Sequence, residues 1–331
     1  MASIPLTNWV RLHGDHFANG RVLITGGAGF IGSHLAEALV SLGAAVTVLD
    51  DLSAGTMENL ASFGPLDFVK GSILDRQTLL RCVEGRRYVF HLAALGSVPA
   101  SVNEPRLYHE VNVTGTLNVL EAAREAQVQR VMFAASSSVY GVNDVPWTET
   151  MPTLPQSPYA ATKAACEALM RAYSAAYGLD TAPLRYFNIF GPRQNANSAY
   201  AAVIAAFAKA MLAGKQPIIY GDGEQSRDFT FVHNALHANL LAARRDEPIG
   251  GEVINVGCGT RISVNQLATM MASALGRRDL VAIHEGPRAG DVMHSFADMK
   301  RAKAILAYEP VVDFQAGLEV TLDWFKSIGE T

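Results

Sequence analysis

The stretch that most restricts this chain runs from Arg21 to Gly43. Arg21-Val-Leu-Ile-Thr25 is a short β-rich run that feeds directly into Gly26, Gly29 and Gly32. The following H-L-A-E-A-L-V-S-L has helical spacing and stops at Gly43. Strand, tight turn and helix in that order predict a βα unit, and the glycines let a backbone approach the helix N-terminus closely. Unpaired N–H groups and the helix dipole favour an anion there, and a pyrophosphate fits. The next strand, A-V-T-V-L, ends at Asp50, 18 residues after Gly32. An acid at that distance can accept hydrogen bonds from both hydroxyls of an adenosine ribose. Asp50 and Asp51 would repel a 2′-phosphate, and no arginine follows closely, so the pattern selects NAD over NADP. The plainer alternative for Asp50 is a strand-end acid capping a turn.

The second chemical signal lies between Val131 and Lys163. The apolar run V-M-F-A-A breaks into Ser136-Ser137-Ser138, and Tyr159 and Lys163 follow in Y-A-A-T-K. Four residues apart in a helix, the phenol and the ammonium lie on one face. An ammonium beside a phenol favours the phenolate, which turns tyrosine into a base near neutrality. A nearby serine hydroxyl could share the substrate's proton. Taken alone, Y-x-x-x-K reads more readily as a solvated helix face.

Composition limits the remaining choices. With 331 residues, 49% hydrophobic and 18% charged, the chain can form one large domain or two smaller ones. A net charge of −4 without a basic cluster argues against a nucleic-acid binder. Cys82, Cys166 and Cys258 are odd in number and widely spaced, which fits buried small hydrophobes in a reducing cytoplasm. His233, His237, His284 and His294 have no ligand-spaced carboxylate or cysteine partners, so no metal site is expected. No apolar run reaches membrane-spanning length, and residues 1–20 do not read as a secretory signal but as a short arm packed on the body.

Ser136 precedes Tyr159 by 23 positions, and T-G-G-A-G-F-I-G and L-R-Y-F-N-I-F-G-P-R stand at either side of that pair. Together they resemble the extended short-chain dehydrogenase/reductases, over a span from about Val22 to the C-terminal region. The details look most like UDP-sugar 4-epimerases, especially those that act on N-acetylated sugars. The resemblance implies an α/β fold, a Rossmann-type doubly wound parallel sheet with a smaller mixed α/β substrate-binding C-terminal domain. Residues 21–188 would bind NAD, with later segments returning to that unit, and 189–331 would mainly bind the UDP-sugar.

The resemblance also implies a site. Tyr159, Lys163 and Ser136 are its catalytic residues. Gly26, Gly29, Phe30, Ile31 and Gly32 would meet the cofactor's phosphates, and Asp50, Asp51, Leu52, Ser53 and Gly55 its adenosine. Ser72-Ile73 stands where the family usually has Asp-Ile against the adenine, so one contact is expected to be missing. Ala93, Ala94, Leu95, Asn112, Lys163 and Phe187 would complete the cofactor site, with a buried Asn bonded to backbone as the alternative for Asn112. On the sugar side the match gives Gly96, Ser97, Ser136, Ser137, Ser138, Tyr159 and Asn188. Ala199, Tyr200, Ile218 and Tyr220 would hold diphosphate and uracil. Arg227, Arg288 and Asp291 form the uridine-diphosphate clamp, since guanidinium forks suit paired phosphate oxygens. The fourth residue after that Asp, Ser295, is the gate beside the sugar's C2 substituent, where a small side chain admits an acetamido group. Two helices per subunit form a dimer seam in much of the family, so a homodimer is implied.

Three reactions remain in play. C4 epimerisation of UDP-N-acetylglucosamine and UDP-N-acetylgalactosamine, with the plain UDP-hexoses also accepted, fits best. A 4-epimerase restricted to plain sugars, or a dehydratase, shares the same first oxidation, whereas a 4-ketoreductase would be a net oxidoreductase that changes the redox state of its cofactor. Dehydratases and decarboxylases keep an acid just after the catalytic serine or threonine, whereas this chain has Ser137 and Ser138. A non-catalytic nucleotide-binding regulator would need a broken Ser, Tyr or Lys, and all three are present.

Overall fold

A computed structural model describes residues 7–61, 63–195, 203–287 and 292–329. Seven parallel strands form its central sheet: β1 (Arg21–Thr25), β2 (Ala45–Asp50), β3 (Asp67–Lys70), β4 (Tyr88–His91), β5 (Arg130–Ser136), β6 (Asp180–Tyr186) and β7 (Ile254–Val256). Their order across the sheet is β7-β6-β5-β4-β1-β2-β3, with the reversal between β1 and β4. Parallel strands need crossovers, and these place helices on both faces.

Alternation along the strands divides the core. Val22, Ile24, Val48, Phe90 and Leu184 pack on one side, against α2 (Phe30–Ser41) and a long helix from the second half of the chain, α5 (Val232–Arg244). Leu23, Leu49, Val89, Val131 and Phe133 face the other way, onto α3 (Gly115–Glu125) and α4 (Pro158–Tyr177). Helix α4 starts as its sequence dictates. The Ser157 hydroxyl accepts from Ala160 N–H at 3.2 Å, Pro158 occupies the first turn, and Gly178 ends it with φ +69°.

Between the short helix at Pro105–His109 and α3, the chain makes a wide π-helical turn at Glu110–Thr114. Asn112 sits in that turn, and its carbonyl accepts from the Cys166 thiol and from the Thr116 hydroxyl. Its side chain is thereby aimed at the loop after β4.

Strand β7 belongs to the far part of the sequence, so the chain returns to the main sheet after building the second lobe. Arg130 fastens that return. Its buried guanidinium pairs with Asp180 and donates to the carbonyls of Ala242, Arg245 and Glu247, at the C-terminal end of α5 and just beyond. The second lobe contains smaller two-stranded pairings, among them Ile218–Tyr220 beside Ile283–Glu285. Ahead of β1, the arm forms a short helix, α1 (Trp9–His13), laid across α2 and α5. His13 Nε2 lies 3.1 Å from His237 Nδ1, Thr7 Oγ1 lies 2.8 Å from His233 Nδ1, and His34 Nε2 donates to the Pro192 carbonyl.

Candidate active site

At the carboxyl ends of the strands, where ligands bind in open α/β sheets, lies a cavity of about 680 Å³. Ser136, Ser137 and Ser138 leave β5 into it, and Tyr159 and Lys163 reach it from the first two turns of α4. Phe30 and Ile31, at the start of α2, close one side; Ala94 and Gly96 close another. Asn188 follows the end of β6, and Arg227 and Ser295 come from the second lobe. Asn188 and Arg227 also line an adjoining cavity of about 280 Å³, together with Ile218 and Tyr220.

Tyr159 is half-buried, and burial pushes its phenol above the ordinary value, with the Ser136 hydroxyl working in the opposite direction. Ser136 Oγ is 2.9 Å from Ser138 Oγ and accepts from Ser138 N–H. Lys163 is buried, and its Nζ donates to the Ala134 carbonyl at 2.8 Å and lies 5.9 Å from the centre of the Tyr159 ring. Burial lowers the Lys163 ammonium to about 8, with Cys166 and Glu167 opposing. Burial is thus the dominant influence on both groups in the protein alone, raising the phenol and lowering the ammonium.

The glycine turn has the shape its sequence demands. Gly26 adopts φ +72°, and a Cβ on Gly32 would sit 2.2 Å from the Gly26 carbonyl oxygen. Gly29 caps α2 without a side-chain bond, which leaves the first N–H groups of the helix facing outward. A Cβ on Gly55 would fall 2.5 Å from the Ala28 carbonyl carbon, so that turn closes tightly over the first. Asp50 is buried, and its two oxygens accept from Ala28 and Leu52 N–H at 2.9 and 2.8 Å. It caps the turn as the plainer reading held, and each oxygen keeps a lone pair for a ligand hydroxyl. Asp51 accepts from Ser53 N–H. Ser72 Oγ accepts from Leu74 N–H, and Ile73 is buried beneath Gly115. These features fit a dinucleotide.

Other expected residues stand behind the wall. Asn112 is buried; its Oδ1 accepts from Leu95 N–H, and its Nδ2 donates to Leu95 O and Thr162 Oγ1. It fixes the loop that carries Ala93, Ala94 and Leu95. Ser97 caps the next short helix through Ala100 N–H. Phe187 is fully buried against Tyr140 and Trp147, and the cavity is instead lined by its neighbours Tyr186 and Asn188. Ala199, Tyr200, Arg288 and Asp291 lie outside the described residues.

Several lining residues were not singled out from the sequence. Trp147, Gln156 and Ser157 are among them. Gln156 and Ser157 precede Tyr159 by three and two positions, a proximity that could have flagged them. Trp147 gave no local signal. Among the described residues lining the larger cavity, none is Asp or Glu. No group of three or more His, Cys, Asp or Glu among the described residues is placed to hold a metal, and no described helix is long and apolar enough to cross a membrane.

A doubly wound sheet, an open glycine-capped helix and a Ser-Tyr-Lys cluster facing it define a nicotinamide-dinucleotide enzyme of the short-chain dehydrogenase/reductase class. Residues 22–257 match the NAD dependent epimerase/dehydratase family. A UDP-glucose 4-epimerase of Mycolicibacterium smegmatis is 40% identical over 93% of this chain and 99% of its own. A solved UDP-N-acetylglucosamine 4-epimerase of Methanobrevibacter ruminantium, in complex with UDP-N-acetylmuramic acid, is 42% identical, with TM-score 0.89 over 94% of this chain and 99% of its own. A Thermotoga maritima UDP-glucose 4-epimerase with UDP-glucose is 38% identical, with TM-score 0.88 over 93% and 99%. The chain belongs to the NAD dependent epimerase/dehydratase family, as an NAD-dependent enzyme of the UDP-sugar 4-epimerase type.

Proposed function

We propose that the protein interconverts UDP-N-acetylglucosamine and UDP-N-acetylgalactosamine at C4 through a 4-keto sugar, and that it also accepts UDP-glucose and UDP-galactose. The observation that carries this reading is Ser295, a small side chain on the wall of the cavity that holds Tyr159, with its Oγ accepting from Asn188 Nδ2 at 3.0 Å. A residue of that size leaves room beside the sugar's C2 substituent. The lack of any Asp or Glu among the described lining residues disfavours dehydration and decarboxylation, which need an acid to move further protons.

In this reading Gly26, Gly29, Phe30, Ile31 and Gly32 hold the dinucleotide's phosphates. Asp50, with Asp51, Leu52, Ser53 and Gly55, holds its adenosine, and Ser72 and Ile73 lie toward the adenine. Ala93, Ala94, Leu95 and Lys163 hold the nicotinamide end, with Asn112 and Phe187 supporting from behind. Bound NAD supplies the acceptor and donor of the C4 hydrogen and a positive ring beside the phenol. Tyr159 takes the proton from the sugar O4 and later returns it, while Ser136 hydrogen-bonds that oxygen. Lys163 keeps positive charge near the phenolate, and Gly96, Ser137 and Ser138 shape the space for the sugar, with Ser97 supporting from behind. Arg227 and Arg288 meet the diphosphate together with Ala199 and Tyr200, Asp291 takes the ribose hydroxyls, and Ile218 and Tyr220 hold the uracil. Two copies pair through α3 and α4, where Leu117 and Tyr177 are exposed. Incubation of the purified protein with UDP-N-acetylgalactosamine and separation of the products tests the reading. Conversion to the C4 epimer is expected; no epimer, with UDP-galactose readily converted, overturns the acetylated-sugar assignment.

A further inference from the structure

Asp228 is fully buried one position beyond Arg227. Its Oδ1 accepts from Cys258 N–H at 2.9 Å, and its Oδ2 accepts from Gly259 N–H at 3.0 Å and Ala297 N–H at 3.3 Å. Its own N–H donates to the Ser295 carbonyl at 2.9 Å, and its carbonyl accepts from Asn188 Nδ2 at 3.0 Å. The same Asn188 amide donates to Ser295 Oγ. One residue thus joins three stretches distant in sequence: the end of β6 with Asn188, the loop after β7, and the segment that carries Ser295.

That segment is held on two sides. Ser295 N–H donates to Ser226 O, and Trp147 pairs across from Ala297, with Trp147 N–H to Phe296 O and Asp298 N–H to Trp147 O. These are backbone bonds, which fix direction but can slide in register. The Asp228 carboxylate supplies the side-chain tie to Ala297, two residues past Ser295. Charge-assisted bonds to backbone N–H are the stronger kind, and a buried acceptor with three donors has one low-energy position. Gly257 shows how closely the carboxylate is packed, since a Cβ there would lie 2.8 Å from Asp228 Oδ2 and 3.0 Å from the Ala297 Cβ.

We infer that Asp228 is the positioning residue for the wall beside the sugar's C2 substituent: it touches no substrate, and it sets where Ser295 and Asn188 stand. The chemistry it controls is the choice between an acetamido group and a hydroxyl at C2. A displaced wall penalises the substrate that needs the room and is nearly indifferent to the smaller one.

The inference rests on the UDP-hexose reading above, and its test keeps the two apart by measuring binding as well as turnover. Asp228→Asn keeps the shape but turns an N–H group toward N–H donors. Gly257→Ala presses on the carboxylate without changing charge. Binding of UDP-N-acetylglucosamine and of UDP-glucose to the NAD-loaded protein is measured by calorimetry for wild type and both variants, with KM and kcat for each pair and thermal midpoints alongside. The expected result is a fall of about tenfold in the preference for the acetylated sugar in Asp228→Asn, the equivalent of one charge-assisted bond. A smaller fall in the same direction is expected in Gly257→Ala, carried by KM. A lower midpoint in both variants with the binding preference unchanged would assign Asp228 a merely structural role and overturn the inference. Absence of turnover on either pair by wild type would overturn the epimerase reading, while the binding ratio would still decide the role of Asp228. Should Asp228→Asn fail to fold, Gly257→Ala carries the decision alone.

Discussion

Replacement of Ser295 by tyrosine would put the proposed selectivity under direct strain. Ser295 is 3% exposed, and its Oγ accepts from Asn188 at 3.0 Å. Ser295→Tyr breaks that bond, which costs roughly 0.5–1.5 kcal/mol. It also drives a ring toward the space beside C2, since the segment is bonded to its neighbours on both sides and tied to Asp228 at Ala297. A single poorly accommodated methylene in a pocket discriminates by about 1–3 kcal/mol, and an acetyl group exceeds one methylene. Adding the low end of each term gives about 1.5 kcal/mol, a loss of at least roughly tenfold in kcat/KM for UDP-N-acetylglucosamine. UDP-glucose, with only a hydroxyl at C2, should lose about twofold at the same low end, the share of the lost Asn188 bond. Initial rates on both pairs, with products separated by anion exchange, read the ratio. Equal losses on the two substrates, or retained turnover of the acetylated one, would show that Ser295 does not face C2.

Four other outcomes are expected. Tyr159→Phe should lower turnover by about 10²–10⁴ while NAD remains bound, as read from single-turnover assays and cofactor content after gel filtration; full activity would remove the assigned base. Arg130→Ala leaves Asp180 and the carbonyls of Ala242, Ala243, Arg245 and Glu247 without their cation, and it should cost about 3–5 kcal/mol in urea unfolding; a loss under about 1 kcal/mol would contradict the fastening role. Buried His34 and His91 are lowered to about 3 by desolvation, so the unfolded chain binds more protons between about pH 3 and pH 6.5. Stability is then full above that value and falls as pH drops through it, by about 2 kcal/mol per histidine at pH 5; an unchanged thermal midpoint between pH 7 and pH 5 would refute the assignment. Light scattering should report a dimer that Leu117→Glu converts to monomer, and an unaltered mass would exclude the α3–α4 seam.

Residues 21–50 carried most of the fold in plain view, because strand alternation and turn glycines are local. The Cβ distances at Gly26, Gly32 and Gly55 are the three-dimensional form of the same constraint. The Ser136–Tyr159–Lys163 group was equally legible, since two of its members share one helix face and the third leaves the neighbouring strand. The electrostatics were not. Burial raises the phenol and lowers the ammonium, and burial depends on what packs over both groups. Phe187 and Tyr186 exchange the roles that a motif suggests because strand alternation continues past Tyr186, which directs adjacent side chains to opposite sides. Trp147 enters the site through pairing with Ala297, 150 positions away, and the arm enters the core through pairs such as His13 with His237. Contacts of that range leave no trace in a local pattern.

The late return of β7 has a practical bearing on any attempt to divide the protein. A cut after Asn188 looks natural on the linear map, since the cofactor motifs all precede it. It would strip β6 of its neighbour at Leu184–Tyr186, expose a bare sheet margin, and remove α5 from one whole side of the sheet. It would also leave the Arg130 guanidinium with Asp180 alone. The excised first half should therefore collect as aggregate rather than as a free-standing nucleotide binder, and the two lobes must be inherited, expressed and engineered as one piece.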